Sequence, residues 1–129
     1  ESKMEVPADV SDLGIATVRL ASGQYADILV PFPVARWEVF MAQMVTVASD
    51  AATDTDLTFK LHTAIIDGES GDYTEIGLAY AVRKTANASM TGEWTTNLRR
   101  VAKLRITCNV AGPITATVRV LLWGKKRCQ

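Results

Sequence analysis

The chain has 129 residues, 14 basic and 14 acidic side chains, and is 48% hydrophobic. That is the length of one domain, with apolar content enough for one core. A net charge of zero argues against a dedicated nucleic-acid binder, which carries a basic excess, and no apolar run nears the roughly eighteen residues of a membrane-spanning helix.

The balance hides a division. Up to Asp72 there are twelve acids and four bases; from Tyr73 onward there are two acids and ten bases. Either the two halves interleave in one fold and neutralise each other, or the molecule has opposite poles suited to head-to-tail association or to docking on a charged assembly.

Residues 1–12 are polar and aperiodic, with Pro7, and read as an extended N-terminal arm. The opening ESKMEVPADV has no basic stretch followed by an apolar one, so no signal peptide is expected. A single domain is expected over residues 13–124. Residues 13–21 (LGIATVRLA) alternate as a first strand, and Ser22-Gly23-Gln24 is a turn. Residues 25–32 (YADILVPF) form a second strand, closed by Pro31 and Pro33. Residues 36–48 (RWEVFMAQMVTVA) are apolar on both faces. That fits a central strand or a short buried helix, and the β-branched and aromatic content favours strand.

Residues 49–56 (SDAATDTD) are a polar loop. In the strand from Leu57 to Ile65, Leu57, Phe59 and Leu61 face in, and Thr58, Lys60 and His62 face out. DGESGD (67–72) is a turn, residues 73–83 give one or two short strands around Gly77, residues 85–91 are polar, and residues 92–98 lead on through Trp94. The stretch 101–123 reads as two strands folded back on each other. Leu104, Ile106, Cys108 and Val110 share one face of the first; Ile114, Ala116, Val118, Val120 and Leu122 share one face of the second. Ala111-Gly112-Pro113 breaks the ladder between them. Residues 125–129 form a basic tail. Cys108 reads as a buried hydrophobe and Cys128 lies in the tail, a poor disulfide pair, so reduced thiols are expected. Seven or eight short strands with evenly spaced turns predict an all-β chain, an antiparallel β-sandwich of jelly-roll-like form.

Catalytic patterns are absent. His62 is the only histidine and is expected on the surface, with no sequence neighbours that complete a triad. Asp50, Asp54, Asp56, Asp67, Glu69 and Asp72 crowd two loops at opposite ends of the Leu57 strand. They read as solvated turn acids, with a calcium site as the alternative. Trp37 and Trp123 belong to a core or interface, whereas Trp94 and Tyr73 are the exposed candidates for a sugar-stacking platform. Asn87-Ala88-Ser89 fits the glycosylation triplet, a pattern common by chance. The densest basic patch is Arg99-Arg100 with Lys103 and Arg105. With Arg119 on the outward face of the last strand, these are the candidate interface residues. No catalytic, cofactor or metal residue is assigned, and no enzyme is expected.

Three stretches from Leu57 to Gln129 carry a family resemblance: LTFKLHT with the turn DGESGDYTEIG, the Arg-rich approach LRRVAKLRITCNV, and the close AGPITATVRVLLWGKK. They resemble small β-sandwich virion proteins of tailed bacteriophages. The resemblance implies a non-enzymatic structural protein of the virion: a capsid decoration or cement protein, or a head-tail component. It implies other virion proteins as partners, foremost the major capsid protein, a homo-oligomeric state, and neither membrane nor nucleic acid. The alternative is a carbohydrate-binding sandwich, with or without calcium. Either way, apolar side chains beyond one core's needs, above all in the two-faced segment at Trp37 to Val47, are expected to meet a partner.

Overall fold

The computed structural model describes residues 9–28, 32–34, 37–66, 72–95 and 98–126. These form nine strand segments: β1 (Asp9–Leu20), β2 (Tyr25–Asp27), β3 (Phe32–Pro33), β4 (Trp37–Ser49), β5 (Leu57–Ala64), β6 (Thr74–Ala81), β7 (Ser89–Trp94), β8 (Val101–Cys108) and β9 (Ile114–Lys126). The first sheet runs β1-β9-β4-β7 and the second β2-β8-β5-β6, with β3 also on β8. All pairings are antiparallel.

The wiring follows from one rule. β2 and β3 lie along the same edge of β8, against Thr107–Arg105 and Ala102–Val101, and count as one interrupted strand. The first strand then pairs with the last, the second with the last but one, and so inward: β1 with β9, β2/β3 with β8, β4 with β7, β5 with β6. A ribbon doubled in this way and rolled up also brings β4 to β9 and β5 to β8. That is the jelly roll, two sheets wound as Greek keys. The chain is all-β, and the sandwich expected from the alternation is the one observed.

The core lies between the inward faces. Phe40, Ala42, Met44, Val118 and Val120 of the first sheet are buried, as are Leu57, Phe59, Leu61, Leu104 and Ile106 of the second. In β8 every second residue from Ala102 to Cys108 is buried, the period-2 pattern of a strand with one face on a core. Trp94 anchors one side. Its ring meets Tyr80 edge-on at 5.4 Å between centroids and lies 6.4 Å from Phe59, the geometry aromatic quadrupoles favour. Two glycines make room for it. A Cβ on Gly92 would sit 2.7 Å from Trp94 Cη2, and one on Gly77 2.8 Å from Cδ1.

Several expectations change. Residues 101–123 do not fold back on each other: β8 lies in the second sheet and β9 in the first. Their apolar faces meet across the core instead of side by side, and the Ala111–Pro113 segment crosses between sheets. It passes so close to the end of β1 that a Cβ on Gly112 would lie 2.5 Å from the Leu20 carbonyl oxygen. Alternation gives the side that faces the core but not the strand that supplies the hydrogen bonds. The first strand begins at Asp9, so residues 9–12, expected in the arm, pair with β9; residues 1–8 lie outside the described ones. Lys125 and Lys126, expected in the tail, end β9 on Trp37 and Val39 of β4. The expected strand at 25–32 is broken into β2 and β3. The ambiguous segment is strand from Trp37 on, as β4, and Ser89 to Thr91 of the polar stretch belong to β7.

Truncating Leu104, fully buried at the centre of β8, to Ala is expected to cost about 2–5 kcal/mol in urea unfolding. Gly92→Ala is expected to cost about 1–3 kcal/mol, because the added methyl meets Trp94 and Tyr80 in a filled core.

Candidate functional site

The two outer faces of the sandwich differ in chemistry. On the second sheet, Arg105 and Lys60 stand opposite each other, as do Lys103 and His62. Like charges directly across a ladder are unfavourable, and each is offset from a flanking strand. Asp27 of β2 takes two hydrogen bonds from Arg105, at 2.8 and 3.2 Å, and lies 3.9 Å from Lys103. Glu75 of β6 accepts from Lys60 at 2.8 Å, which holds its carboxyl below the usual range. The Arg105 guanidinium lies 3.8 Å above the Tyr25 ring and the Lys103 ammonium 4.2 Å above Tyr73, so both cations are held flat on aromatic faces.

Of the expected interface residues, the fold therefore separates rather than gathers. Lys103 and Arg105 are side by side on this face, engaged within the chain. Arg99 is near the end of the sandwich, where it donates to Thr63 Oγ1 at 3.2 Å. Arg100 is exposed and joins β3 to β5 through its backbone: its N–H donates to the Ala64 carbonyl, and its carbonyl accepts from Val34. Arg119 is exposed on the first sheet, opposite Val45 and Ile15.

The charge division reads differently in space. The chain doubles back between β5 and β6, where the sequence turns from acid-rich to base-rich. Across either sheet, early and late strands consequently alternate. The ion pairs Lys60–Glu75, Arg83–Asp54, Lys103–Asp27 and Arg105–Asp27 each join a residue before Tyr73 to one after it. The halves interleave.

The acids of the loop after β4 are used locally. Asp56 accepts from the Thr53 hydroxyl and from the Ala52 and Thr53 N–H groups. The Thr53 hydroxyl is the chief cause of its lowered pKa. Asp50 accepts from Thr115 N–H, and Asp54 from Lys84 N–H. Asp67 and Glu69 lie outside the described residues, among which no three His, Cys, Asp or Glu side chains converge as a metal site. Among them, too, no helix is long and apolar enough to cross a membrane.

Three side chains expected at the surface are covered. Trp94 is 2% exposed and Tyr73 7%, so neither offers a stacking platform, and His62 is 9% exposed. The neighbouring strands explain this: Trp94 points inward from β7, Tyr73 lies under Lys103, and His62 is walled by long side chains. It faces Lys103 and Arg105 of β8, Lys60 of its own strand, Glu75 of β6 and, farther off, Asp27 of β2. Burial, then the positive charge of Arg105, lowers its pKa. Beside it lies an open cleft of about 390 Å³, lined among others by Tyr25, Lys60, Glu75 and Asn109.

The first sheet's outer face is mixed, with an apolar centre among polar side chains. β4 and β9 are its two central strands, and the outward rows read Trp123–Met41–Glu93, Leu121–Gln43–Thr91 and Ile15–Arg119–Val45–Ser89. Ile15 is 65% and Leu13 45% exposed, and Met41, Val45, Leu121 and Trp123 are half-buried. A hollow of about 220 Å³ opens beside Trp123 and Met41. The residues themselves pointed here: β4 is the segment apolar on both faces, and only one of those faces is needed by the core.

No protein-family model and no curated protein matches the chain. One solved structure that it is similar to comes from a study of Bacillus endospore appendages, described as a novel family of disulfide-linked pili. The two share 12% identity over 98% of this chain and 97% of that one, with a TM-score of 0.47. A likeness at that level carries no argument about what this chain does.

The histidine gives a pH signature. A native pKa depressed below the unfolded value of about 6.5 means that the unfolded chain binds the proton first. This contribution to stability is complete above about pH 6.5 and declines as pH falls through the native pKa. His62→Gln is expected to flatten thermal stability just below about pH 6.5, leaving the acid limb of Asp56 and Glu75, which lies in the carboxylate range. Equal slopes for both proteins in that window would show that His62 is not held neutral.

Proposed function

We propose that the chain is a non-enzymatic structural subunit of a bacteriophage particle, a capsid decoration or cement protein or a head-tail component, which works through protein–protein contacts. The observation that carries this reading is the set of apolar side chains on the outer face of the first sheet: Met41, Val45, Leu121 and Trp123 of its central strands stand outward beside Ile15, which is 65% exposed. Apolar side chains grouped on an outer face are what a partner surface covers. The jelly roll supports it as a fold found in viral capsids, though lectin domains and cupins share that architecture. The resemblance from Leu57 to Gln129 adds the virion context. The carbohydrate-binding alternative is weakened, since the two rings it would use, Trp94 and Tyr73, are buried.

Such a subunit binds assembled particles. The purified protein is expected to co-sediment with phage capsids lacking their own decoration protein, with little loss at high salt, because apolar contacts are not screened. Met41→Lys, on the outward face of β4, is expected to weaken that binding at least tenfold. A protein that ignores assembled particles of every kind tried, while binding a ligand on a glycan array, would favour the alternative.

A further inference from the structure

We propose that the cleft on the outer face of the second sheet binds a sugar acid, a hydroxylated molecule with one carboxylate. The cleft lies on the opposite side of the sandwich from the side chains that carry the subunit reading, and the inference does not depend on that reading.

The ladder builds the cleft. Its floor is low where the short side chains of Thr58 and Thr107 stand opposite each other on β5 and β8, with Tyr25 of β2 next in the row. Longer side chains fence it: Tyr25, Arg105, Lys60 and Asn109. On the far side the pairing of β5 with β6 is irregular. Phe59 is opposite Tyr80 and Leu61 opposite Ile76, so residues 77–79 stand against Lys60 alone. A bulge of this kind lifts the strand out of the ladder, and Ala79 becomes a wall of the cleft. The volume of about 390 Å³ lies at the lower end of the range for small-molecule sites.

Charge selects a single negative group. The strands β2, β5, β6 and β8 carry three cations, Lys60, Lys103 and Arg105, and two acids, Asp27 and Glu75. One positive charge is left over. Both acids belong to the outer strands β2 and β6; β5 and β8, which lie side by side between them, have none. Lys60 and Arg105 face each other across that middle, each held by an acid from its outer side. Neither cation is used up. An ammonium has three N–H donors and a guanidinium five; Glu75 takes one from Lys60, and Asp27 takes two from Arg105. A carboxylate between them accepts from both and offsets the opposition of like charges.

The remaining lining selects a hydroxylated body. Asn109 donates through Nδ2 to the Thr55 carbonyl and to Thr58 Oγ1. That leaves its Oδ1 as an acceptor and the Thr58 O–H as a donor. Thr107, Tyr25 and His62 line the same space, each with a polar group of its own. An apolar acid would take these groups out of water and give them no partner. Sugar hydroxyls, which both donate and accept, replace the water they lose. Recognition here is by charge and hydrogen bonds and needs no stacking platform.

Nuclear magnetic resonance tests the site, because His62 is the only histidine and its ring signals identify themselves. At neutral pH and low salt, glucuronate is expected to shift them saturably in the millimolar range, as a ligand of so few atoms does. Glucose, which lacks the carboxylate, and hexanoate, which lacks the hydroxyls, are each expected to bind about tenfold more weakly. Lys60→Met is expected to weaken glucuronate about tenfold. Glu75→Gln, which releases Lys60 and raises the surplus positive charge, is expected to tighten it about threefold, a gain that no loss of structure produces. The comparison of ligands on the wild type stands whether or not the variants fold. Ring signals unmoved by glucuronate, equal binding of glucose and glucuronate, tighter binding of glucose 6-phosphate, or weaker binding in a folded Glu75→Gln overturns the proposal.

Discussion

The structure depends on the burial of two facing rows of side chains. Phe59, Leu61, Leu104 and Ile106 of the second sheet are closed over by Phe40, Met44, Val118 and Val120 of the first, all close to fully buried. Each such side chain contributes about 1.5–3 kcal/mol, against the entropy of ordering a chain whose contacts are almost all long-range. Side-chain packing is close at the tryptophans: Trp94 lies against Gly77 and Gly92, and Trp37 against Gly124. There a missing side chain on one strand is the space for a large one on another. The indole N–H of Trp94 is left without a hydrogen-bond partner in this wall, a cost that its ring contacts offset.

Doubling the ribbon does more than bury the core. Because it pairs early strands with late ones, it turns a separation of charge along the sequence into an alternation across the sheets. Asp27, one carboxylate from the acid-rich half, serves two cations of the base-rich half. Such pairs at the edge of solvent add modest stability individually. They do disfavour other pairings, since joining two strands of the late half would set base against base. We read the charge division as a constraint on topology.

The two outer faces differ in chemistry. One is polar, its cations on tyrosine rings and its histidine enclosed. The other has Met41, Val45, Leu121 and Trp123 at its centre, with Gln43, Thr91 and Ser89 among them. A domain that meets another surface needs one face which stays soluble and one which does not, and the central strands β4 and β9 supply the second because their outward residues are also hydrophobic. Fold alone does not assign a function.

By itself the sequence determined what is local. Period-2 alternation identified most strands and the inward side chains of β5, β8 and β9, and Gly-Pro and Ser-Gly marked breaks in the chain. The excess of apolar residues in β4 showed that this strand has hydrophobic side chains on its outward face as well. What it could not carry was partnership. β8 and β9 look like a hairpin because each alternates cleanly and a Gly-Pro break joins them, yet they lie in different sheets, since the ladder of each is completed by strands from the first half of the chain. The candidate basic cluster dispersed for the same reason: Arg105 and Arg119 both point outward, but outward from opposite sheets. His62, Tyr73 and Trp94 were misjudged as exposed because cover comes from neighbouring strands and facing walls. Their burial, and the meeting of the two charged halves, were decided only when the doubled ribbon closed into two sheets, because hydrogen-bond partners and cover in a β-sandwich are set by contacts far apart in the chain.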